Sequence, residues 1–305
     1  MKVLLTGAGG QLAQDIVATW TGHEITALAR TALDITSATA VDAAVDSLVP
    51  DCIVNTAAFN LVDQAEDRYE DAYQANVFAV GHLARAAQRH GAILVQFSTD
   101  YVFDGLKRTP YQETDPVGPL SVYAATRVAG EWMAEHYCRR ALVIRTCGLY
   151  GAAGLATRAG NFVETMLRLA AASKPLRVVS DQMMTPTSTR ELAEKCQDLV
   201  SVVTSVDISS KVSNRGFGGV YHMTNTGQCS WFEFAQHIFR EFGVEADLAP
   251  IPAAEYNARA RRPDYSVLDN RRLRQAGIAD LSPWQQAFAR YAECRRRAAN
   301  TQVSK

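Results

Sequence analysis

Short apolar runs alternate with longer helical patterns through the first half of this chain, and that alternation leaves it few folds. Lys2-Val-Leu-Leu-Thr6, Glu24-Ile-Thr-Ala-Leu28, Cys52-Ile-Val-Asn55, Ile93-Leu-Val-Gln-Phe97 and Leu142-Val-Ile-Arg145 are each too short for a helix. They are bounded by polar residues or glycine and are apolar on both faces, the pattern of strands buried on both sides of a parallel sheet. Helical patterns lie between them, over residues 11–20, 40–48, 71–90 and 121–138. Alternating β and α units with right-handed crossovers build a doubly wound parallel α/β sheet, whose ligands sit beyond the carboxyl ends of the strands.

Past residue 150 the pattern loosens. A helix is expected over 161–172, then a strand at Leu176-Arg-Val-Val179. Ser188-x-x-Glu191 has the spacing of a capping box opening a helix toward Val200. The serine-rich stretch 201–217 reads as a loop, and Val220-Tyr-His-Met223 as a further strand. Ser230-x-x-Glu233 caps an amphipathic helix that is apolar at Trp231, Phe234, Ala235, Ile238 and Phe239 and ends at Gly243.

A net charge of −1 gives no reason to expect nucleic acid or an anionic membrane as partner. No apolar run approaches the ~18 residues of a membrane span, and Val3-Leu4-Leu5 is too short for a signal peptide. The six cysteines are scattered with no C-x-x-C pair, which suits a reducing cytosol and argues against zinc or a disulfide framework. A cytoplasmic protein without a metal site is expected. The Arg295, Arg296, Arg297 cluster reads as a solvated helix end.

Thr6-Gly-Ala-Gly-Gly-Gln-Leu-Ala13 falls between the first strand and the first helix. Gly7 and Gly10 permit a sharp turn close to a pyrophosphate, and the helix start offers free N–H groups to the anion. That placement points to a Rossmann-type dinucleotide site. The second strand ends Ala27-Leu-Ala-Arg30, without the acidic residue that holds the ribose hydroxyls of NAD. Arg30 is suited to a 2′-phosphate, so NADPH is expected, with NADH as the alternative. Asp34 follows as a partner for the adenine amino group. Small residues in Asn55-Thr-Ala-Ala-Phe-Asn60, Ala57 among them, let a cofactor pass. Asn76 reads either as a helix side chain bonding backbone or as part of the chemistry. The expected organisation is a dinucleotide-binding domain over 1–150, with 186–225 returning to it. A smaller C-terminal substrate-binding lobe then occupies most of 151–305.

Tyr123 and Arg127 lie one helical turn apart in Ser121-Val-Tyr-Ala-Ala-Thr-Arg-Val-Ala-Gly-Glu131, so they share a helix face. A phenol beside a fixed positive charge ionises more easily than its model value of about 10, which suits it to proton transfer. Ser98-Thr-Asp-Tyr-Val-Phe-Asp-Gly105 follows the fourth strand, where a hydroxyl can polarise a substrate carbonyl. Together these make a carbonyl-reducing site, with a nicotinamide as hydride donor.

The Tyr-x-x-x-cation device resembles the short-chain dehydrogenase/reductase superfamily. Within it, the chain resembles the dTDP-4-dehydrorhamnose reductases. The likeness is carried by the Gly-rich turn, Leu33-Asp-Ile-Thr36, the Ser98–Gly105 run, Val122-Tyr123 with Ala129-Gly-Glu131, Asn161-Phe-Val-Glu-Thr-Met-Leu167 and Val178-Val-Ser-Asp-Gln182. Thr185-Pro-Thr187, Ser230-Trp-Phe-Glu-Phe234, Arg262-Pro263 and Ser266-Val-Leu-Asp269 extend it to about residue 290. The resemblance implies reduction of the C4 ketone of dTDP-6-deoxy-L-lyxo-4-hexulose to dTDP-L-rhamnose. By position, Thr99 would orient the ketone and Tyr123 protonate the alkoxide, while Arg127 would hold the nicotinamide ribose. Gly10, Gln11, Leu12, Asp34, Ile35, Ala58 and Phe59 would contact the cofactor, and Asp100, Tyr101 and Asn161 would lie on the sugar-nucleotide side.

Three positions depart from the family pattern. Arg127 replaces the usual lysine and is planar and bulkier. Gly148 stands where a tryptophan is usual, and Asn60 where a threonine is usual. The last two suggest a related keto substrate. Two other functions use the same fold: a non-catalytic dinucleotide-binding regulatory subunit, and a sugar-nucleotide epimerase or dehydratase, for which Asp100 is the acid/base candidate. Arg259, Arg261 and Arg262 read either as a diphosphate clamp or as surface residues. A homodimer is compatible with all of these.

Overall fold

In a computed structural model the protein is described over residues 1–152, 160–172, 174–205 and 218–303. The core is a six-stranded sheet of β1 (Lys2–Thr6), β2 (Glu24–Leu28), β3 (Cys52–Asn55), β4 (Ile93–Thr99), β5 (Ala141–Thr146) and a late strand, Gly219–His222, numbered β10 below. Every pairing in it is parallel, in the order β10-β5-β4-β3-β1-β2. Strand order reverses at β1, so a crevice opens beyond the carboxyl ends of β1 and β3. β3, β4 and β5 are buried along their whole length, which is why they read as unbroken apolar runs.

Helices α1 (Gln11–Thr19), α2 (Ala38–Leu48), α3 (Val62–Ala65), α4 (Tyr69–Tyr73), α5 (Ala79–His90) and α6 (Val122–Tyr137) follow the strands. One core, with Leu12, Ile16 and Trp20, lies under α1 on one sheet face; a second, with Val41, Val45, Leu83 and Leu94, lies under α2 and α5 on the other. The expected helix over 71–90 is interrupted: residues Gln74–Phe78 form a π-helical turn between α4 and α5. That turn carries Asn76 against α6, where Gly130 packs so closely that an added Cβ would collide with the Asn76 carbonyl oxygen.

Beyond β5 come β6 (Leu149–Tyr150), α7 (Phe162–Ala171), β7 (Leu176–Val179), β8 (Met183–Met184), β9 (Thr187–Ser188) and α8 (Thr189–Ser205). Helix α8 packs on α1, and β10 then joins the edge of the main sheet beside β5. The chain continues through β11 (Cys229–Ser230), α9 (Trp231–Phe242), β12 (Leu248–Ile251), α10 (Ala253–Tyr256), α11 (Arg271–Gln275) and α12 (Trp284–Val303). A third core, rich in aromatic rings from Tyr150, Phe234, Trp284, Phe288 and Tyr291, binds α7, α9 and α12 together.

Two capping expectations divide. Ser230 and Glu233 form a reciprocal capping box at α9, and Gly243 closes that helix at φ 62°. Ser188 and Glu191 do not form one: Ser188 N–H donates to Asn225, and the Glu191 carboxylate accepts from Asn225, Ser282 and Arg290. Residues 201–205, expected in a loop, complete α8; the rest of that stretch, 206–217, lies outside the described residues.

Candidate active site

The Gly-rich turn joins β1 to α1, with Gly10 N–H donating to the Gly7 carbonyl at 2.9 Å. Gly7 sits at φ +77°, and a Cβ there would lie 2.7 Å from both Ala57 N and Thr56 Oγ1. Only glycine lets the turn press against the end of β3 in this way. Gly10 caps α1 with extended backbone and no side-chain cap bond, and the first turn carries no acidic residue. The N–H groups opening α1 are therefore left to a ligand, and an anion suits them. The residues fit a dinucleotide pyrophosphate.

One cavity of about 410 Å³ runs from this helix start to the reacting end. Among the sequence-predicted residues it brings together Gly10, Gln11, Leu12, Ala57, Ala58 and Asn60 with Thr99, Asp100, Tyr101, Tyr123, Arg127 and Gly148. Thr99 belongs to β4, two residues beyond the expected strand end. Its hydroxyl donates to Asp100 at 3.0 Å and accepts from Tyr101 N–H. Asp100 is only 2% exposed. Its other oxygen accepts from the Cys147 thiol at 2.9 Å. Burial pushes its carboxyl up, partly offset by hydrogen bonds from Cys147, Ser266 and Thr99.

Tyr123 and Arg127 are both buried and face the cavity from α6, whose N-terminus is capped by Ser121. The guanidinium carbon lies 5.9 Å from the phenol ring centroid. Arg127 also donates from Nη2 to the Phe97 carbonyl, an anchor the sequence did not announce. The Tyr101 ring meets Tyr123 edge-on at 6.2 Å. Beneath β4 the Glu131 carboxylate takes Arg145 in two bonds, 2.9 and 2.6 Å long, and accepts the Ser98 hydroxyl.

The other predicted residues stand outside the cavity lining. Arg30 is exposed at the end of the β2 turn, 3.9 Å from Asp34. Hydrogen bonds from the Thr36 side chain and backbone hold the Asp34 carboxyl below the usual range. Ile35 is buried beside Leu33. Phe59 is gripped at its N–H and carbonyl by Asn76, which also donates to Thr126; Asn76 is thus a brace. Asn161 caps α7 and gives its amide to Gln11 Oε1 at 3.1 Å. Arg262 clamps no open site: it is paired in two bonds with Asp63 of α3. Arg259 is paired with Asp67. Arg295, Arg296 and Arg297 pair with Glu164, Glu241 and Glu293. Cys147, Thr146 and Trp231 line the cavity unannounced; Trp231 had read as a core position of α9.

A doubly wound sheet with a helix-start anion site and a buried Thr–Tyr–cation set at its carboxyl edge defines a Rossmann-type protein of the extended short-chain dehydrogenase/reductase class. The family model described as the RmlD substrate binding domain matches residues 1–296. The chain is 38% identical over 294 residues to the spore coat polysaccharide biosynthesis protein SpsK of Bacillus subtilis, covering 96% of this chain and 97% of that one. It is 36% identical to the dTDP-4-dehydrorhamnose reductase of Aggregatibacter actinomycetemcomitans, covering 94% and 97%. The crystal structure of the Bacillus anthracis dTDP-4-dehydrorhamnose reductase in complex with NADP superposes with a TM-score of 0.86 at 33% identity, covering 95% and 98%. The chain belongs to the dTDP-4-dehydrorhamnose reductase family. No helix among the described residues is long and apolar enough to cross a membrane.

Proposed function

We propose that the protein is an NADPH-dependent oxidoreductase. It reduces the C4 ketone of a dTDP-activated 6-deoxyhexose, of the type that yields dTDP-L-rhamnose. The observation that carries this reading is a single cavity shared by the uncapped start of α1 and by Thr99, Tyr123 and Arg127. NADPH, when bound, supplies the hydride.

The chain's own residues supply the rest. N–H groups of Gln11 and Leu12 hold the pyrophosphate, and Gly7 and Gly10 let it approach. Ala57, Ala58 and the braced Phe59 form the passage for the dinucleotide; Asp34 and Ile35 lie toward its adenine end. Arg30 meets the 2′-phosphate, and NADH is the weaker alternative. The Thr99 hydroxyl turns from Asp100 to the ketone oxygen and orients it. Tyr123 delivers its hydroxyl proton to that oxygen as negative charge develops there. Arg127, fixed at Phe97, presents its remaining N–H groups to the nicotinamide ribose. Asn60, Tyr101 and Gly148 face the sugar, and Asn161 braces Gln11 from behind.

The test is loss of NADPH absorbance with dTDP-4-keto-6-deoxyhexose as substrate. Wild type should consume NADPH. Tyr123→Phe should lower kcat by about 10²–10⁴-fold, the usual worth of a positioned proton donor, with NADPH affinity within about twofold. Tight NADPH binding without consumption across a panel of keto-sugar nucleotides would instead establish the regulatory-subunit reading.

A further inference from the structure

The geometry points to Trp231 as the residue that selects the sugar ring, by presenting its indole to the ring's C–H face. This rests on the reductase reading above and deepens it. Among the described residues lining the cavity, Trp231 is the single contribution from beyond residue 150. It shares that lining with Thr99, Tyr123 and Gly148, so it is the wall that the C-terminal half offers to a hexose whose ketone is seated at Thr99 and Tyr123.

The neighbouring wall is bare. Gly148 lies at φ +54°, and a Cβ there would meet the Pro186 Cα and the Thr185 carbonyl at 3.3 Å and Met184 Sδ at 3.4 Å. With the backbone in this left-handed conformation an L side chain at 148 would be strained, and the glycine leaves this wall without the aromatic ring that is usual there.

Trp231 offers one from the neighbouring segment. It is the first residue of α9, directly after the Ser230 cap, and Cys229 and Ser230 pair antiparallel with Met184 and Met183. The segment bearing the indole is therefore tied to the strand beside Gly148. The ring leans on Phe162 at 4.7 Å between centroids, and behind it stands the aromatic core. A half-buried indole, rigidly backed and with one side on the cavity, offers a π face to weakly positive C–H groups. A 6-deoxyhexose, with its methyl group and axial hydrogens, has such a face; the charged diphosphate does not.

The experiment compares binding of dTDP-rhamnose and of dTDP alone to wild type, Trp231→Ala and Trp231→Phe, by calorimetry, beside steady-state kinetics with the keto sugar. Trp231→Ala should weaken dTDP-rhamnose by at least roughly tenfold, the scale of a lost apolar pocket contact, and raise KM for the keto sugar similarly. Affinities for dTDP and NADPH should stay within about twofold, and Trp231→Phe should recover most of the loss. Equal weakening of dTDP and dTDP-rhamnose, an unchanged dTDP-rhamnose affinity, or no binding of dTDP-rhamnose by wild type would each overturn the assignment. Wild type that binds dTDP-rhamnose through Trp231 yet consumes no NADPH would sink the reductase reading and leave this one standing.

Discussion

Glu131→Gln should damage this protein more than its distance from the cavity suggests. The carboxylate is 2% exposed and holds Arg145, 5% exposed, in a two-pronged bond beneath β4. Neither group has access to water that could replace the other. Removing one partner of such a pair typically costs about 3–5 kcal/mol, because the survivor is left as an uncompensated buried charge. For a chain of this size ~1 kcal/mol shifts Tm by roughly 2 °C, so the drop should be about 6–10 °C. The Ser98 hydroxyl keeps only a neutral amide oxygen in place of the carboxylate that accepts it, and Thr99 is the next residue. Turnover should therefore fall further than NADPH affinity. Circular dichroism melts and urea titrations of Glu131→Gln, and of the double variant Glu131→Leu with Arg145→Met, measure this. The apolar pair should recover most of the lost stability, since well-packed apolar replacements of buried ion pairs are often neutral. A Tm within ~2 °C of wild type for the single change, or a double variant no better than the single, would refute the reasoning.

Two further outcomes concern the reacting end. Asp100 has a folded-state pKa raised by burial, so its contribution to stability is fully present below the unfolded value of about 3.9 and is lost as pH rises through the raised one. Asp100→Asn cannot ionise. It should melt higher than wild type in mild alkali, with the gap closing toward acid; a gap independent of pH would contradict this. Arg127→Lys should raise turnover severalfold, because a compact ammonium on a flexible stem can settle against the ribose, whereas the guanidinium fork, with Nη2 held at Phe97, can turn only its remaining N–H groups that way. An unchanged or lower kcat would mean that the pocket is fitted to the guanidinium.

Where the sequence was legible, the structural reason is local. The runs at Lys2, Glu24 and Cys52 coincide with β1, β2 and β3, because an apolar run between polar stops leaves little freedom in a buried sheet. The fourth strand runs two residues past the apolar run that ends at Phe97. Ser98 and Thr99 look like loop residues, but their hydroxyls are satisfied by Glu131 and Asp100 and the strand continues through them. Ser188-x-x-Glu191 had the right spacing and the wrong partners, since Ser282 and Arg290 lie about a hundred residues away in the chain. Arg262 with Asp63 is the same case. Trp231 fits the apolar stripe of α9 equally well as core or as cavity wall, and helical periodicity does not separate the two. The pairing of Tyr123 with Arg127 was visible from i, i+4 spacing alone; the Phe97 anchor was not.

In the proposed reaction a helix must present Tyr123 accurately to a cofactor that crosses a different segment. Reduction needs the proton donor, the ketone and the nicotinamide within a few tenths of an ångström of their working positions. Asn76 supplies the linkage: it grips the Phe59 backbone at both N–H and carbonyl, while its amide reaches Thr126, whose own hydroxyl donates to the Tyr123 carbonyl. Thr126 and Asn76 are buried, so these bonds do not compete with water. Gly130 lets α6 sit directly on the Asn76 backbone, and the π-helical turn carries that asparagine between the two segments. The Ala57–Phe59 segment and the face of α6 that bears Tyr123 are therefore held as one body. The backbone that bears residue 127 is thus positioned by Asn76 and Gly130 and not by the charge of the side chain there.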